Sequence, residues 1–284
     1  MLYKSFLTFV DGSEASALRL STACAMAERH DAHLTTVALT QHPSFHIGYQ
    51  SVAASTVYFE ELRQAHEQAR ALSDEAQTAL RAAGRSGDVR WGSDTASGLA
   101  EIAAIHARYA DLTMVGQPAD PEDSKATQAL TEAVLQGVLF NSGRATVMIP
   151  RGWDAGAFGR RILIAWDPVQ QAARALADAL PFIAEAETVT VALVNPEPEP
   201  SRYGDEPGAD LAAALARHGV ALTVDRLSGS GASVAEAIRD HARITGSDLI
   251  VMGGYGNALW RQSLIGGVTH AMIRDTEIPI LMAH

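Results

Sequence analysis

Short apolar runs alternate with longer stretches of helical period along the whole chain. In the first half, the apolar runs have the length of buried strands, and the stretches between them carry apolar residues at helical spacing. Because strands that alternate with helices form parallel sheets, this order predicts an α/β domain with a doubly wound, open parallel sheet. The predicted strands are residues 5–10, 33–39, 89–91, 112–115 and 145–149, and the predicted helices are residues 14–30, 59–83, 99–109 and 126–140.

The second half of the chain repeats this pattern. The apolar run before Asp167 corresponds to the opening strand, which ends at Asp11. Residues 235–243 likewise resemble residues 100–108. Self-similarity over a whole domain indicates an internal duplication.

We therefore predict two tandem domains, residues 1–152 and residues 153–284. The join is placed where Pro and Gly interrupt the pattern, at residues 150–157. The elements read directly from the second half are strands 161–166, 188–194, 249–252 and 278–282, helices 209–218 and 235–243, and a helix that starts at Val268.

One stretch of the first half has no equivalent in the second. Residues 41–57 show no clear period and are longer than most connections, which is typical of a functional lid or of an arm that packs on a neighbouring molecule. The helix predicted after it is rich in Ala, Glu, Gln and Arg, and its charges are predicted to form a solvated face. His42 and His46 lie four residues apart, but no carboxylate or cysteine lies close in sequence to complete a metal site, so no metal is predicted there.

A glycine pattern near the end of the chain is the candidate binding site. An apolar strand ends in two glycines, and after an interval two further glycines precede a predicted helix. Glycines let the backbone approach a ligand closely, and a helix start offers N–H groups and a positive dipole end, which suit a phosphate. The pattern is neither a Walker A loop nor a dinucleotide fingerprint, and such glycines also occur in ordinary turns. Its residues are Gly253, Gly254, Gly256, Gly266, Gly267, Val268 and Thr269.

This pattern resembles the ATP-binding signature of the universal stress protein family, which reads Gly, two residues, Gly, nine residues, Gly, then Ser or Thr. The chain departs from it at one position, because Gly267 stands where the hydroxyl residue is expected. The resemblance covers nearly the whole chain as two tandem copies and implies the Rossmann-like fold of that family. It also implies that the second copy binds an adenine nucleotide (ATP, ADP or AMP), with or without magnesium, in a stress-response or regulatory role.

The resemblance further implies which residues contact the nucleotide. Ala165, Asp167 and Val194 are expected to contact adenine and ribose, although Asp167 has the alternative role of a helix cap. Backbone N–H groups and one hydroxyl are expected to hold ribose and phosphates. The residues implied in that second role are Gly253, Gly256, Gly266, Gly267, Val268 and Thr269.

The first copy is predicted to have lost its nucleotide site. No second glycine follows Gly116 closely, and a phosphate there would meet like charge and prolines that lack N–H donors. The residues concerned are Pro118, Asp120, Pro121, Glu122 and Asp123.

Charge and cysteine content narrow the class of protein. A formal net charge of -11 argues against a protein that binds nucleic acid through phosphate neutralisation. Cys24 is the single cysteine, so we expect a small buried thiol and a reducing, cytoplasmic location. No apolar run approaches the ~18 residues of a membrane span, and the N-terminus lacks the apolar core of a signal peptide.

Catalysis is not predicted, because the sequence shows no nucleophile beside a base, no paired carboxylates near the glycine pattern and no metal cluster. His106 and His241 occupy matching helical positions, which favours packing or capping. Two alternatives to nucleotide binding stay open: a protein that acts only through protein–protein interaction, and a slow ATP hydrolase. By the resemblance, strands 145–149 and 278–282 pair antiparallel to give an intrachain pseudo-dimer, and a homodimer is also open.

Overall fold

The structure is a computed structural model of the 284-residue chain. It describes residues 3–42, 44, 52–118, 123–154, 156–196, 206–229, 233–254 and 267–284, with the backbone alone for residues 52–54. The chain divides into two compact units. One contains residues 3–146 and 151–157, and the other contains residues 147–150 and 158–284. The predicted boundary after residue 152 therefore falls within the linker that stays with the first unit.

The first half builds one parallel sheet with helices between its strands. Its strand order is β3-β2-β1-β4-β5, and the pairs β1–β2, β1–β4 and β2–β3 are parallel. The central strands are buried because both faces of the sheet are covered, which explains their continuous apolar runs. The elements are β1 Ser5–Val10, α1 Glu14–Arg29, β2 His33–Gln41, α2 Val52–Ala82, β3 Asp88–Asp94, α3 Ala96–Ala107, β4 Leu112–Gly116, α4 Lys125–Asn141 and β5 Ala145–Ile149.

The second half has the same topology. Its strand order is β8-β7-β6-β9-β10, and the four neighbouring pairs are parallel. The elements are β6 Arg161–Ala165, α5 Gln170–Glu185, β7 Thr188–Val194, α6 Ala209–Arg217, β8 Thr223–Leu227, α7 Val234–Ile244, β9 Leu249–Gly253, α8 Val268–Asp275 and β10 Ile280–Ala283.

The two tandem doubly wound parallel α/β domains predicted from the sequence are thus confirmed. Within the described part of the chain, no helix is both long and apolar enough to span a membrane. How the terminal strands of the two halves pair stays a prediction.

Three elements differ from the prediction. Helix α2 begins at Val52 and not at Phe59, so the end of the stretch without clear period is helical. Helix α5 was not read from the sequence, since Pro181 lies inside it and its buried residues are mostly alanines. Strand β8 was also missed, because it lies at the edge of its sheet with no fully buried residue.

Candidate functional site

The strand order of the second half reverses between β6 and β9, and ligands of open parallel sheets bind beyond the carboxyl ends of the strands at such a point. Ala165, the last residue of β6, pairs with Ala192 of β7 on one side and Met252 of β9 on the other. Val194 and Gly253 end β7 and β9. The fold therefore brings these three predicted site residues to one edge of the sheet.

The side chains at this edge are short and accessible. Ala165, Val194 and Gly253 are half-buried, and Asp167 is exposed just beyond the end of β6. The indole-bearing Trp166, which the sequence reading did not single out, is also half-buried, and its backbone N–H donates to Ala192 O at 3.0 Å.

Asp167 does not cap the helix that follows it. The N-cap of α5 is Val169, which makes no side-chain cap hydrogen bond. The backbone carbonyl of Asp167 accepts from Val169 N at 2.7 Å, so the main chain forms this turn. The alternative reading of Asp167 as a helix cap is therefore wrong, and its carboxylate points into the solvent beside the strand ends.

Asn195 is a second residue that the sequence reading missed. It follows Val194 directly and has a left-handed backbone, with φ of 50°, which Asn tolerates better than most residues. Its Oδ1 accepts from Gly229 N at 2.7 Å, and its own N–H donates to Leu227 O at 2.9 Å. Asn195 thereby fixes the chain after β8 against the end of β7.

Helix α8 begins at Val268, as the sequence predicts. Its N-cap is Gly267, which has no side chain to satisfy the first N–H groups of the helix, and no atom of the described residues lies within 4 Å of where its Cβ would be. Thr269 is buried in the first turn. Gly256 and Gly266 lie outside the described residues, as does His46.

The end of β9 is held tightly against α5. A Cβ on Gly253 would lie 2.7 Å from Ala172 N and 3.1 Å from Gln171 C, both backbone atoms. Glycine at this position is therefore required by the close approach of the helix to the strand.

The equivalent edge of the first half is filled by Arg19. Its side chain is buried, and its Nε and Nη2 donate to Phe9 O at 3.2 and 2.9 Å. Nη2 also lies 3.5 Å from Asp11 Oδ2, and Nη1 occupies the position that a Cβ on Gly116 would need. The guanidinium thus lies across the ends of β1 and β4, where a ligand of this fold would bind.

The charge of Arg19 determines the state of Asp11. Burial by itself would raise the pKa of Asp11, but the guanidinium and the hydrogen bonds from Ser13 and Ser16 outweigh burial, and the pKa lies below its ordinary value. Ser13 N donates to Asp11 Oδ1 at 2.9 Å, and the Ser13 side chain caps α1. Asp11 and Arg19 consequently form a buried ion pair inside the first half.

A second arginine covers the corner that follows β4. Arg151 N donates to Gln117 Oε1 at 3.3 Å, and its guanidinium donates to Pro118 O. The same guanidinium lies 3.7 Å from Asp123 Oδ2. The carboxylate that the sequence reading treated as repelling a phosphate is therefore paired within the chain. Asp120 and Glu122, the other two carboxylates predicted to repel a phosphate, lie outside the described residues.

Matched positions of the two halves differ systematically at this edge. Alignment of Asp11 with Asp167, together with the strand registers, matches three large residues of the first half with three small ones of the second. The pairs are Phe9 with Ala165, Arg19 with Ala175, and Leu39 with Val194. The three large residues are almost fully buried, whereas Ala165 and Val194 are half-buried and Ala175 is fully buried.

The two matched histidines have differently charged neighbours, an aspartate beside His241 and an arginine near His106. His241 Nε2 lies 2.8 Å from Asp225 Oδ2. His106 is half-buried, and burial together with the nearby charge of Arg90 lowers its pKa. Neither histidine lies at the strand ends of the candidate site, and their packing or capping role stays a prediction.

The strand order and the alternating helices define the second half as a Rossmann-like α/β domain. Residues 159–284 match the profile of the family described as the universal stress protein family. The second half of the chain is therefore a universal stress protein domain, and the predicted family is confirmed for this half. No curated protein matches the chain.

Solved structures extend the likeness of fold to the whole chain. A universal stress protein from Archaeoglobus fulgidus is 18% identical with a TM-score of 0.71, and the match covers 98% of this chain and 97% of that one. A Pseudomonas aeruginosa protein provisionally described as a universal stress protein is 15% identical with a TM-score of 0.58, covering 98% of this chain and 92% of that one. At these identities, the likeness shows the fold alone.

One shorter structure is a universal stress protein in complex with cAMP. It is 19% identical with a TM-score of 0.34, and the match covers 54% of this chain and all of that one (100%). A likeness at this level does not bear on what the present chain binds.

Proposed function

We propose that the second half of the chain binds one adenine nucleotide (ATP, ADP or AMP) at the carboxyl ends of β6, β7 and β9. The observation that carries this proposal is the contrast at matched positions, where Arg19 fills the first half and Ala175 stands in the second. Membership of the second half in the universal stress protein family supports the same reading of its glycine pattern. The first half serves as a scaffold without a nucleotide.

The proposed contacts follow from the chemistry at the sheet edge. Ala165 and Val194 offer small apolar surfaces to adenine, and the exposed carboxylate of Asp167 accepts hydrogen bonds from ribose hydroxyls. The phosphates bind to the uncapped start of α8 and to the glycines before it, because N–H groups and the helix dipole attract an anion. The residues proposed for this part are Gly253, Gly256, Gly266, Gly267, Val268 and Thr269.

Isothermal titration calorimetry with AMP, ADP and ATP, each with and without magnesium, tests the proposal directly. We expect one nucleotide per chain. An absence of binding heat with all three nucleotides would refute nucleotide binding, and two nucleotides per chain would refute the assignment of the first half as a scaffold. Hydrolysis is not proposed, because no observation at the site favours it.

We expect Ala165→Phe to weaken nucleotide binding about 10- to 100-fold. The substitution introduces the side chain that the first half carries at Phe9, and forcing extra volume into a fitted site costs about 1–3 kcal/mol. Calorimetry on the variant measures the loss. Ala177→Phe is the matched control, since Ala177 is exposed on α5 and should leave affinity unchanged. Equal affinities of the Ala165 variant and the wild type would show that adenine does not approach this strand end.

We expect Gly267→Ser to strengthen nucleotide binding about 3- to 10-fold. The change restores the hydroxyl of the family signature, and a hydrogen bond contributes about 0.5–1.5 kcal/mol. No atom of the described residues lies within 4 Å of the added Cβ, and the backbone φ of -93° is ordinary, so the described part of the fold should accept the serine. Calorimetry with ADP and adenosine separates the effects, because only the phosphorylated ligand should gain affinity. A gain of the same size for adenosine would contradict a phosphate contact here.

A further inference from the structure

Helix α2 is the feature of the first half that the proposed function does not use. It spans 31 residues, Val52–Ala82, whereas the described helix at the equivalent place in the second half, α6, has 9 residues. Its axis is therefore about 45 Å long at a rise of about 1.5 Å per residue. The helix packs on β2 and β3, and β3 is the edge strand of its sheet.

One stripe of α2 lies beside the helix face that packs on the sheet, and it carries an exposed aromatic ring. The stripe consists of residues three or four positions apart on one helix face, and these residues line a shallow hollow of about 360 Å³. Phe59 at one end is 64% exposed, which is high for a phenylalanine in a folded domain. The residues of the stripe are Phe59, Leu62, Arg63, His66, Glu67 and Arg70.

At the other end of the stripe, Trp91 of the edge strand β3 packs against His66 and Arg70. Trp91 is 39% exposed, its ring lies 5.8 Å from that of His66, and the guanidinium carbon of Arg70 lies 4.8 Å from its ring centre. Stacking on the indole holds Arg70 in one orientation while one side of its guanidinium stays open. The stripe therefore carries an aromatic ring, Phe59, at one end and a guanidinium, that of Arg70, at the other, and these two groups are complementary.

The centre of the stripe carries both signs of charge in a fixed arrangement. Arg63 donates to Glu60 at 2.6 Å and to Glu67 at 2.5 Å, and these bonds raise the pKa of Arg63. Exposed pairs of this kind add little to the stability of a single chain, but they hold the charged groups in place for a partner.

We propose that this stripe is a homodimer interface in which α2 packs antiparallel against α2 of a second copy of the chain. With a two-fold axis near residues 64 and 65, Phe59 of each copy meets Arg70 of the other, and Arg63 of each meets Glu67 of the other. The stripe is therefore complementary to itself, as an isologous interface requires. A second copy is the one occupant for which both ends and the centre match at once.

Sedimentation velocity of the full chain tests the interface. The wild type should form a concentration-dependent dimer, and Phe59→Asp should raise the dimer dissociation constant about 30-fold or more, as expected for an aromatic anchor that becomes buried on association. Ile244→Asp is the matched control, because Ile244 is 81% exposed on the second half and should leave the dimer intact. A wild type that stays monomeric up to about 1 mM, or a dimer that Phe59→Asp does not weaken, would overturn the proposal.

A charge-swap experiment separates contact between chains from contact within one chain. Arg63→Glu alone and Glu67→Arg alone should each disrupt the homodimer, because like charges then face each other across the two-fold axis. An equimolar mixture of the two variants should form the heterodimer, since every facing pair is again of opposite sign. If the charges acted only within each chain, mixing the two variants would not restore association. Failure of the mixture to associate would therefore refute the interface.

Discussion

Arg19→Ala is expected to lower the free energy of unfolding of the first half by about 3–5 kcal/mol at pH 7, since it leaves a buried carboxylate without its charge partner. The side chain of Asp11 is only 11% exposed, so bulk water solvates its charge poorly. The hydrogen bonds to Phe9 O are lost as well. Urea unfolding measures the loss, and hydrogen exchange of the β1 amides assigns it to the first half.

The same substitution should be less harmful in acid. In the wild type the pKa of Asp11 is lowered, so the ion pair contributes its full stability above the unfolded pKa of about 3.9 and loses it as the pH falls through the folded value. Without Arg19, burial dominates and favours the protonated carboxyl. The difference between variant and wild type should therefore be smaller at pH 4 than at pH 7.

Asp11→Asn combined with Arg19→Ala is the control for this prediction. The double variant has no unpaired buried charge, so it should be more stable at pH 7 than the single Arg19→Ala variant, and its loss should depend little on pH. Equal losses for the single variant at both pH values would show that Arg19 stabilises the fold by packing alone.

Gly253→Ala is expected to reduce both the stability of the second half, by about 1–3 kcal/mol, and its affinity for adenine nucleotides. The added methyl group would meet Ala172 N and Gln171 C, and backbone atoms cannot move aside without shifting the first turn of α5 from the end of β9. Because the proposed ligand lies on the same strand ends, that shift changes its site. Thermal unfolding and calorimetry on the same variant measure the two effects.

Gly267→Ala is the matched control for Gly253→Ala. It adds the same methyl group to the same proposed site, but at a position where no atom of the described residues lies within 4 Å and where the backbone angle is ordinary. Its stability should stay within about 0.5 kcal/mol of the wild type. If Gly253→Ala behaved like this control, the close approach of α5 to β9 would not constrain the site.

The alternation of apolar runs with helical stretches was sufficient to predict the two parallel sheets, because a buried parallel strand leaves a distinct run such as residues 249–252. Strand β8 left no such run, since it lies at the edge of its sheet. Helix α5 could not be predicted because Pro181 lies inside it, and an internal proline normally argues against a helix.

The candidate site was predictable only where main-chain geometry depends on residue type. Glycine at position 253 could be predicted because it ends a strand, and in the structure a Cβ at this position would meet the backbone of α5. Arg19 could not be recognised, because an arginine on a helix is ordinarily solvent-exposed. Its burial follows from tertiary contacts with Phe9 and Asp11, which lie a turn or more away in sequence. The matching alanine at position 175 was the one available signal, and it becomes visible when the two copies are aligned.

The buried guanidinium of Arg19 is a counterion that every molecule carries covalently, so it is present at a fixed ratio to the Asp11 carboxylate. A bound ion or ligand would instead stabilise the fold to an extent that depends on its free concentration. Under the proposed function, a rising nucleotide concentration would therefore stabilise the second half only.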